Sequence, residues 1–336
     1  MVRRVELLFA PELRIVFSDR EKALKQVYEF AEKGTRYPVV VFGPEGCGKT
    51  AWLKQATEIF RELGFEAIYV DPLHRDFIAY TDVSEVVKKL SEAVAEAIGI
   101  AQLKLATLAI DVVKELVGIW KKKSVAVLVD EVFQAVGLDK AEAYVKMLLN
   151  LIEYPPETYE KVVAIVATSE GLTRSKIGRH RWALLKPIWN MPRKGFEELY
   201  EKLPSPKPSP EDAWLLTGGN PDILAKLYQF NWSIEKAVTN FIESKEITPS
   251  FIARWRKWLE EAVRDPDILW DPSTPDELVK ELIARNLIVY NMYSRDPWFW
   301  IDEPPPEKDL ELGVGRYVAW QTPLYREVVK VALREL

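Results

Sequence analysis

The stretch Val39-Val40-Val41-Phe42-Gly43-Pro44-Glu45-Gly46-Cys47-Gly48-Lys49-Thr50 decides the fold. Pro38 to Phe42 is a short β-branched apolar run that reads as a buried strand and stops at a glycine. From Lys49 to Leu63, Trp52, Leu53, Ala56, Ile59 and Phe60 recur at helical spacing. Between strand and helix, the residues have the spacing Gly, four residues, Gly-Lys-Thr. Glycines there let the backbone curl until several N–H groups point at one anion, and the start of the next helix adds its positive dipole end. Gly43, Pro44, Glu45, Gly46, Cys47, Gly48, Lys49, Thr50 and Ala51 are therefore expected to cradle the phosphates of ATP or ADP. Lys49 should reach the β- and γ-phosphates during catalysis, and the Thr50 hydroxyl should ligate Mg²⁺. Cys47 reads as a small loop residue rather than a nucleophile.

Strands and helices alternate outward from this loop. Glu66 to Val70 reads as a second strand ending at Asp71, and Val83 to Ala97 and Ala101 to Trp120 read as helices. Ser124 to Val129 is a third strand, Lys140 to Ile152 a helix, and Val162 to Ala167 a fourth strand. This alternation predicts an α/β fold: a P-loop parallel sheet with helices on both faces, whose strands are apolar throughout because both faces are covered. The third strand ends in Asp130-Glu131. Beside a phosphate loop, Asp130 is expected to help hold Mg²⁺ and Glu131 to polarise the attacking water as a general base. The competing reading of the pair is an acidic helix start. The fourth strand ends Thr168-Ser169-Glu170, where Thr168 or Ser169 could orient that water, or simply cap a turn.

Composition sets bounds. Of 336 residues, 48% are hydrophobic and 29% charged, with a net charge of −5, which suits buried cores and argues against a general nucleic-acid coat. Cys47 is the only cysteine, so no intrachain disulfide can form, and the two histidines offer no metal-ligand spacing. The N-terminus lacks the apolar stretch of a signal peptide, and no run of about 18 apolar residues is present, so we expect a cytoplasmic protein without membrane contact.

The pattern changes near Pro204. The expected division is a P-loop domain over 1–203, a helical lid over 204–265 and a winged-helix-like domain over 266–336. Pro204 to Pro210 reads as a linker by composition. Helices follow over Glu211 to Leu216, Asp222 to Tyr228, Ile234 to Glu243 and Pro249 to Arg264, with Pro249 and Pro275 suiting first helical positions. A further helix over Asp276 to Ala284, extended runs over Leu287 to Tyr293 and Tyr317 to Gln321, and a closing helix suggest a winged helix. From Asp276 onward acids outnumber bases by 11 to 8, which disfavours duplex DNA as its partner.

Taken in order, these residues resemble the archaeal ATPases of the STAND class, relatives of the AAA+ ATPases. Phe17-Ser18-Asp19-Arg20-Glu21 is similar to that family's Phe-x-x-Arg-Glu signature ahead of the phosphate loop. Ile177-Gly178-Arg179 resembles its Gly-Arg element, and Leu216-Thr217-Gly218-Gly219-Asn220-Pro221 its Gly-x-Pro motif. The resemblance implies that Arg20 lies near the nucleotide base and Pro221 contacts nucleotide from the helical lid. It also implies that Arg179, or Arg174 or Arg181, could serve as an arginine finger. Thr168-Ser169-Glu170 departs from the family's usual Gly-Ser-Ser type sequence. The function expected is an ATP-hydrolysing conformational switch reporting to an unidentified protein partner. A DNA-associated ATPase, a nucleotide-binding signalling protein with little turnover, and a small-molecule kinase remain alternatives, and oligomeric state is open.

Overall fold

The computed structural model describes residues 3–96, 100–169, 177–178 and 181–335. Contacts divide the chain into two units: Met1–Val5, Glu21–Phe42 and Lys49–Lys186 in one, Glu6–Arg20, Gly43–Gly48 and Pro187–Leu336 in the other.

The first unit is built on a sheet. After helix α1 (Glu21–Lys33) come β3 (Val39–Phe42), α2 (Lys49–Glu62), β4 (Glu66–Asp71), β5 (Asp76–Tyr80), α3 (Ser84–Ala95) and α4 (Ile100–Gly118). Then follow β6 (Ser124–Val129), α5 (Val132–Val136), α6 (Leu138–Glu153), β7 (Lys161–Thr168) and β8 (Leu184–Pro187). The six strands are ordered β5-β4-β6-β7-β3-β8. β4, β6, β7 and β3 are parallel, with Val127 opposite Ala164 and Val41 opposite Ala167. Their carboxyl ends therefore share one edge of the sheet. β5 departs from the parallel sheet expected: it pairs antiparallel with β4 after a tight turn. Only half-buried along its length, it closes that margin as an edge strand.

Alternate strand residues face opposite ways. Val40, Ile68, Val70, Val125, Val127, Val129, Ala164 and Val166 pack in one core with α3, α4, α5 and α6. The residues between them, among them Val41, Ala67, Tyr69, Leu128 and Ile165, are equally inaccessible and meet the α1–α2 layer. Trp52 of α2 is fully buried there, its indole N–H donating to Ala23 O at 3.4 Å. Burial on both faces explains why these strands read as unbroken apolar runs.

The second unit holds the β1–β2 hairpin (Glu6–Ala10, Leu13–Val16), α7 (Arg193–Glu201), α8 (Pro210–Thr217), α9 (Pro221–Gln229), α10 (Ile234–Ser244) and α11 (Pro249–Arg264). α12 (Asp276–Ala284), β9 (Ile288–Tyr290), β10 (Val318–Trp320) and α13 (Pro323–Glu335) complete it. β9 and β10 form an antiparallel ribbon, with Ala319 opposite Val289. Ile223, Phe241, Trp255, Leu259, Leu282, Trp320, Tyr325 and Val328 are central to its largest core. Pro249 opens α11 at a first helical position, whereas Pro275 occupies the N-cap of α12.

The proline-rich segment is tied down. Lys207 Nζ donates to Tyr200 O at 2.7 Å and Leu203 O at 2.9 Å, capping the end of α7. Trp232 Nε1 donates to Pro206 O at 3.1 Å, and the Tyr200 hydroxyl donates to Pro208 O. Of the aromatic trio in the β9–β10 connection, Trp300 is buried, its Nε1 donating to Ser294 O at 2.7 Å, while Trp298 is 67% exposed.

Candidate functional site

The parallel register sets Asp71, Asp130 and Thr168-Ser169 at the carboxyl ends of neighbouring strands, the edge where ligands bind in open α/β sheets. Asp130 is fully buried. Its carboxylate is hydrogen-bonded to the Thr50 side chain at the start of α2 and accepts from Tyr69 Oη at 3.2 Å. Glu131 N–H also donates to Asp130 Oδ1 at 3.1 Å. Burial pushes the Asp130 carboxyl above its ordinary range; the Thr50 and Tyr69 bonds and the Lys49 charge oppose this, while Asp71 adds to it. The same environment, burial first and then the nearby acids, drives the Tyr69 phenol far above its usual value.

Glu131 has φ of +42°, a left-handed conformation costing a non-glycine residue roughly 1–2 kcal/mol. Its Oε2 accepts from Ser169 N–H at 3.3 Å, Ser169 Oγ at 3.2 Å and Gln134 Nε2 at 3.2 Å. Gln134 also reaches Ser169 Oγ at 3.1 Å. Burial raises the Glu131 carboxyl, partly offset by the charge of Lys49 and by the Ser169 bonds. Lys49 is itself 5% exposed. The structure thus brings Lys49, Thr50, Asp130 and Glu131 together. Thr168, the last residue of β7, is fully buried, and Ser169, just beyond it, engages Glu131. Gln134 had no signal in the sequence beyond following Glu131 by three residues, one turn into α5.

Thr50 and Asp130 offer adjacent hard oxygen donors, one of them anionic. That set suits Mg²⁺, which binds through one or two carboxylates and completes its shell with waters and phosphates. Among the described residues, no cluster of three or more His, Cys, Asp or Glu is arranged to hold a metal alone.

Gly43 to Gly48 of the loop pack with the second unit. Gly46 and Gly48 take φ of +75° and +97°, which L side chains rarely adopt. Glu45 N–H donates to Gln321 Oε1 at 2.8 Å, Glu45 O accepts from Asn220 Nδ2 at 2.8 Å, and the Glu45 carboxylate pairs with Lys245 Nζ at 2.7 Å. Asn220 also caps α9, accepting from Asp222 and Ile223 N–H at 3.1 Å each. Pro221 follows as the first residue of that helix. A Cβ on Gly46 would stand 2.4 Å from Asp222 Cβ, so only glycine fits there. The Arg20 guanidinium donates to Asp302 Oδ2 at 2.7 Å, Cys47 O at 2.6 Å and Trp189 O at 2.9 Å. Arg179 and Arg174 lie outside the described residues, and Arg181 is exposed.

A strand, a glycine-rich loop and a helix, with an acid pair ending a nearby parallel strand, define a P-loop nucleotide-binding protein. Residues 17–227 match the family of ATPase domains found predominantly in Archaea, and the chain belongs to that family. No curated protein sequence matches it. Similar solved structures include AMPPCP-bound DnaA from Aquifex aeolicus, at 16% identity and a TM-score of 0.38 over 74% of this chain and 73% of that one. The ORC1 protein of Aeropyrum pernix in complex with DNA aligns over 95% and 93% of the two chains at 15% identity and a TM-score of 0.38. RuvB from Thermotoga maritima aligns over 81% and 87%, at 11% identity and a TM-score of 0.39.

Proposed function

We propose that the protein binds ATP with Mg²⁺ and hydrolyses the γ-phosphate, using the cycle as a conformational switch. The observation that carries this reading is the group formed by Lys49, Thr50, Asp130 and Glu131, with Ser169 bonded to Glu131. Thr50 and Asp130 would hold Mg²⁺, which when bound offsets phosphate charge. Lys49 binds phosphate as a compact cation. Glu131, raised by burial toward the working range of a general base, takes a proton from water at the carboxylate oxygen not committed to Ser169 and Gln134. Tandem acids at a strand end fit water activation better than transfer to a substrate hydroxyl.

The switch reading extends to the resemblance with STAND-class ATPases. A P-loop domain, a helical lid containing Pro221 and a winged-helix-like domain after residue 265 would differ in their contacts between ATP and ADP states, and that difference is what shifts populations. Thr168 would contribute to sensing the γ-phosphate and Arg179 to completing the site. The C-terminal region would report to a protein partner in the cytoplasm. Calorimetric titration with Mg-ATP and a phosphate-release assay test the core of this reading. Lys49→Ala should weaken binding roughly tenfold, about 1.4 kcal/mol. Glu131→Gln should keep ATP affinity while turnover drops about 100-fold. Unchanged affinity in the first variant, or undiminished release in the second, would refute the assigned roles.

A further inference from the structure

Arg20 is 2% exposed, and Asp302, its partner, is 4% exposed. Their ion pair spans 282 residues of sequence. Such a pair is costly to desolvate and holds only when further hydrogen bonds satisfy both ends. Arg20 makes further hydrogen bonds to the carbonyls of Cys47 and Trp189. Three left-handed non-glycine residues converge here, Asp19, Arg20 and Asp302, at φ of +52°, +62° and +68°. Strain of this kind persists where the surroundings over-determine it.

Cys47 O is the acceptor that matters. A trans peptide is planar, so its C=O and the following N–H point in opposite directions. Fixing Cys47 O toward Arg20 turns the Gly48 N–H the other way, immediately before Lys49. Asn220 acts likewise on Glu45 O, which turns the Gly46 N–H away from the lid helix. The positive φ values of Gly46 and Gly48 are what allow the chain to take these orientations.

We propose that Arg20, oriented by Asp302, is a positioning residue for phosphate binding: it sets the Cys47–Gly48 peptide so that Gly48 N–H faces the anion. This rests on the ATP-binding reading above, and it assigns Arg20 to the phosphate end of the ligand rather than to the base. Asp302, in the β9–β10 connection, then acts on the phosphate loop through one guanidinium.

The test compares ATP with inorganic tripolyphosphate, which has the phosphates and no base. Both are titrated calorimetrically, with Mg²⁺, into wild type, Arg20→Ala, Asp302→Asn and Arg295→Ala. Arg295 is the control. It also holds carbonyls of the same unit, those of Pro306, Tyr293 and Gly315, and makes no bond to the loop. Its removal should lower the melting temperature and leave tripolyphosphate affinity unchanged. Arg20→Ala should weaken tripolyphosphate and ATP by the same factor, roughly tenfold. Asp302→Asn, which keeps the side-chain shape, should weaken both by about threefold and so carries the test if Arg20→Ala fails to fold. Loss of ATP affinity with tripolyphosphate unaffected would place Arg20 at the base and overturn the inference. Equal losses in Arg295→Ala would reduce the effect to general destabilisation and overturn it too. Wild-type protein that binds neither ligand would instead refute the ATP-binding reading itself.

Discussion

Replacing Asp130 by asparagine should stabilise the ligand-free protein while abolishing its response to magnesium. Asp130 has no accessible surface, and its carboxyl titrates above the ordinary range chiefly because burial penalises the charge. A carboxyl whose pKa is raised on folding favours the fold in its protonated form. That contribution is fully present below the unfolded pKa and is lost as pH rises through the folded one. When Asp130 is charged, burial makes that charge a liability, which Lys49 and the Thr50 and Tyr69 bonds offset only in part. Asparagine removes the charge and keeps one acceptor oxygen for the Glu131 N–H, while its amide nitrogen can donate to the Tyr69 hydroxyl. The expected gain is on the order of 1 kcal/mol, the scale seen when residues set for activity rather than stability are relieved. For a chain this long, that corresponds to a melting temperature higher by about 2–4 °C. Differential scanning fluorimetry at pH 7.5 without nucleotide measures it. The difference from wild type should shrink as pH falls and Asp130 becomes protonated. With Mg-ATP at about 100 times its Kd, wild type should gain about 2.7 kcal/mol, and the variant should show little further dependence on Mg²⁺. A lower melting temperature for ligand-free Asp130→Asn, or a gap that does not close in acid, would refute the reasoning.

Two further outcomes test the second unit. Lys207→Ala removes the cap on α7 and should lower the stability of that unit by about 1 kcal/mol, read from a denaturant melt; an unchanged midpoint would mean that the proline-rich segment needs no anchor. Random duplex DNA at low salt should bind weakly by fluorescence anisotropy, with or without ATP, because the exposed residues Asp276 and Glu277 open α12 and acids outnumber bases beyond it. Tight binding that falls steeply with salt would promote the DNA-associated reading.

The P-loop strand, loop and helix were legible because each obeys a local rule: an apolar run, glycine spacing and helical periodicity. The acid pair was legible for the same reason, as a break in an apolar run. Edges and partners were not. β5 carries no alternation that marks an antiparallel edge, because its burial is intermediate at every position. Nor could spacing reveal that Ser169, and not Thr168, would bond Glu131, since the two adjoin at the end of the same strand and only its termination decides which side chain faces the acid. Composition made Pro204 to Pro210 look like a free linker; Lys207 and Trp232 hold it through backbone carbonyls, to which sequence is silent. Asn220 stood in a motif, yet its bond to Glu45 O joins positions 175 residues apart.

Among the described residues twelve non-glycine positions hold left-handed backbone, and several of them belong to the groups proposed to serve ATP. Glu131, Asp19, Arg20 and Asp302 all hold left-handed backbone, and Asp130 and Glu131 both titrate upward through burial. Such costs are borne where function requires them. The two adjacent acids repel and Lys49 offsets this only in part, so part of the affinity for a magnesium-bound nucleotide would be relief of a penalty already present. A ligand can shift a conformational equilibrium only by its differential affinity for the two states. On the proposed roles, relief of this penalty would differ between a full triphosphate and a diphosphate, because Lys49 and the acid pair would meet the terminal phosphate. The Glu45 bonds to Gln321, Asn220 and Lys245 then give the loop three separate connections through which that difference could be felt, each removable by a single substitution.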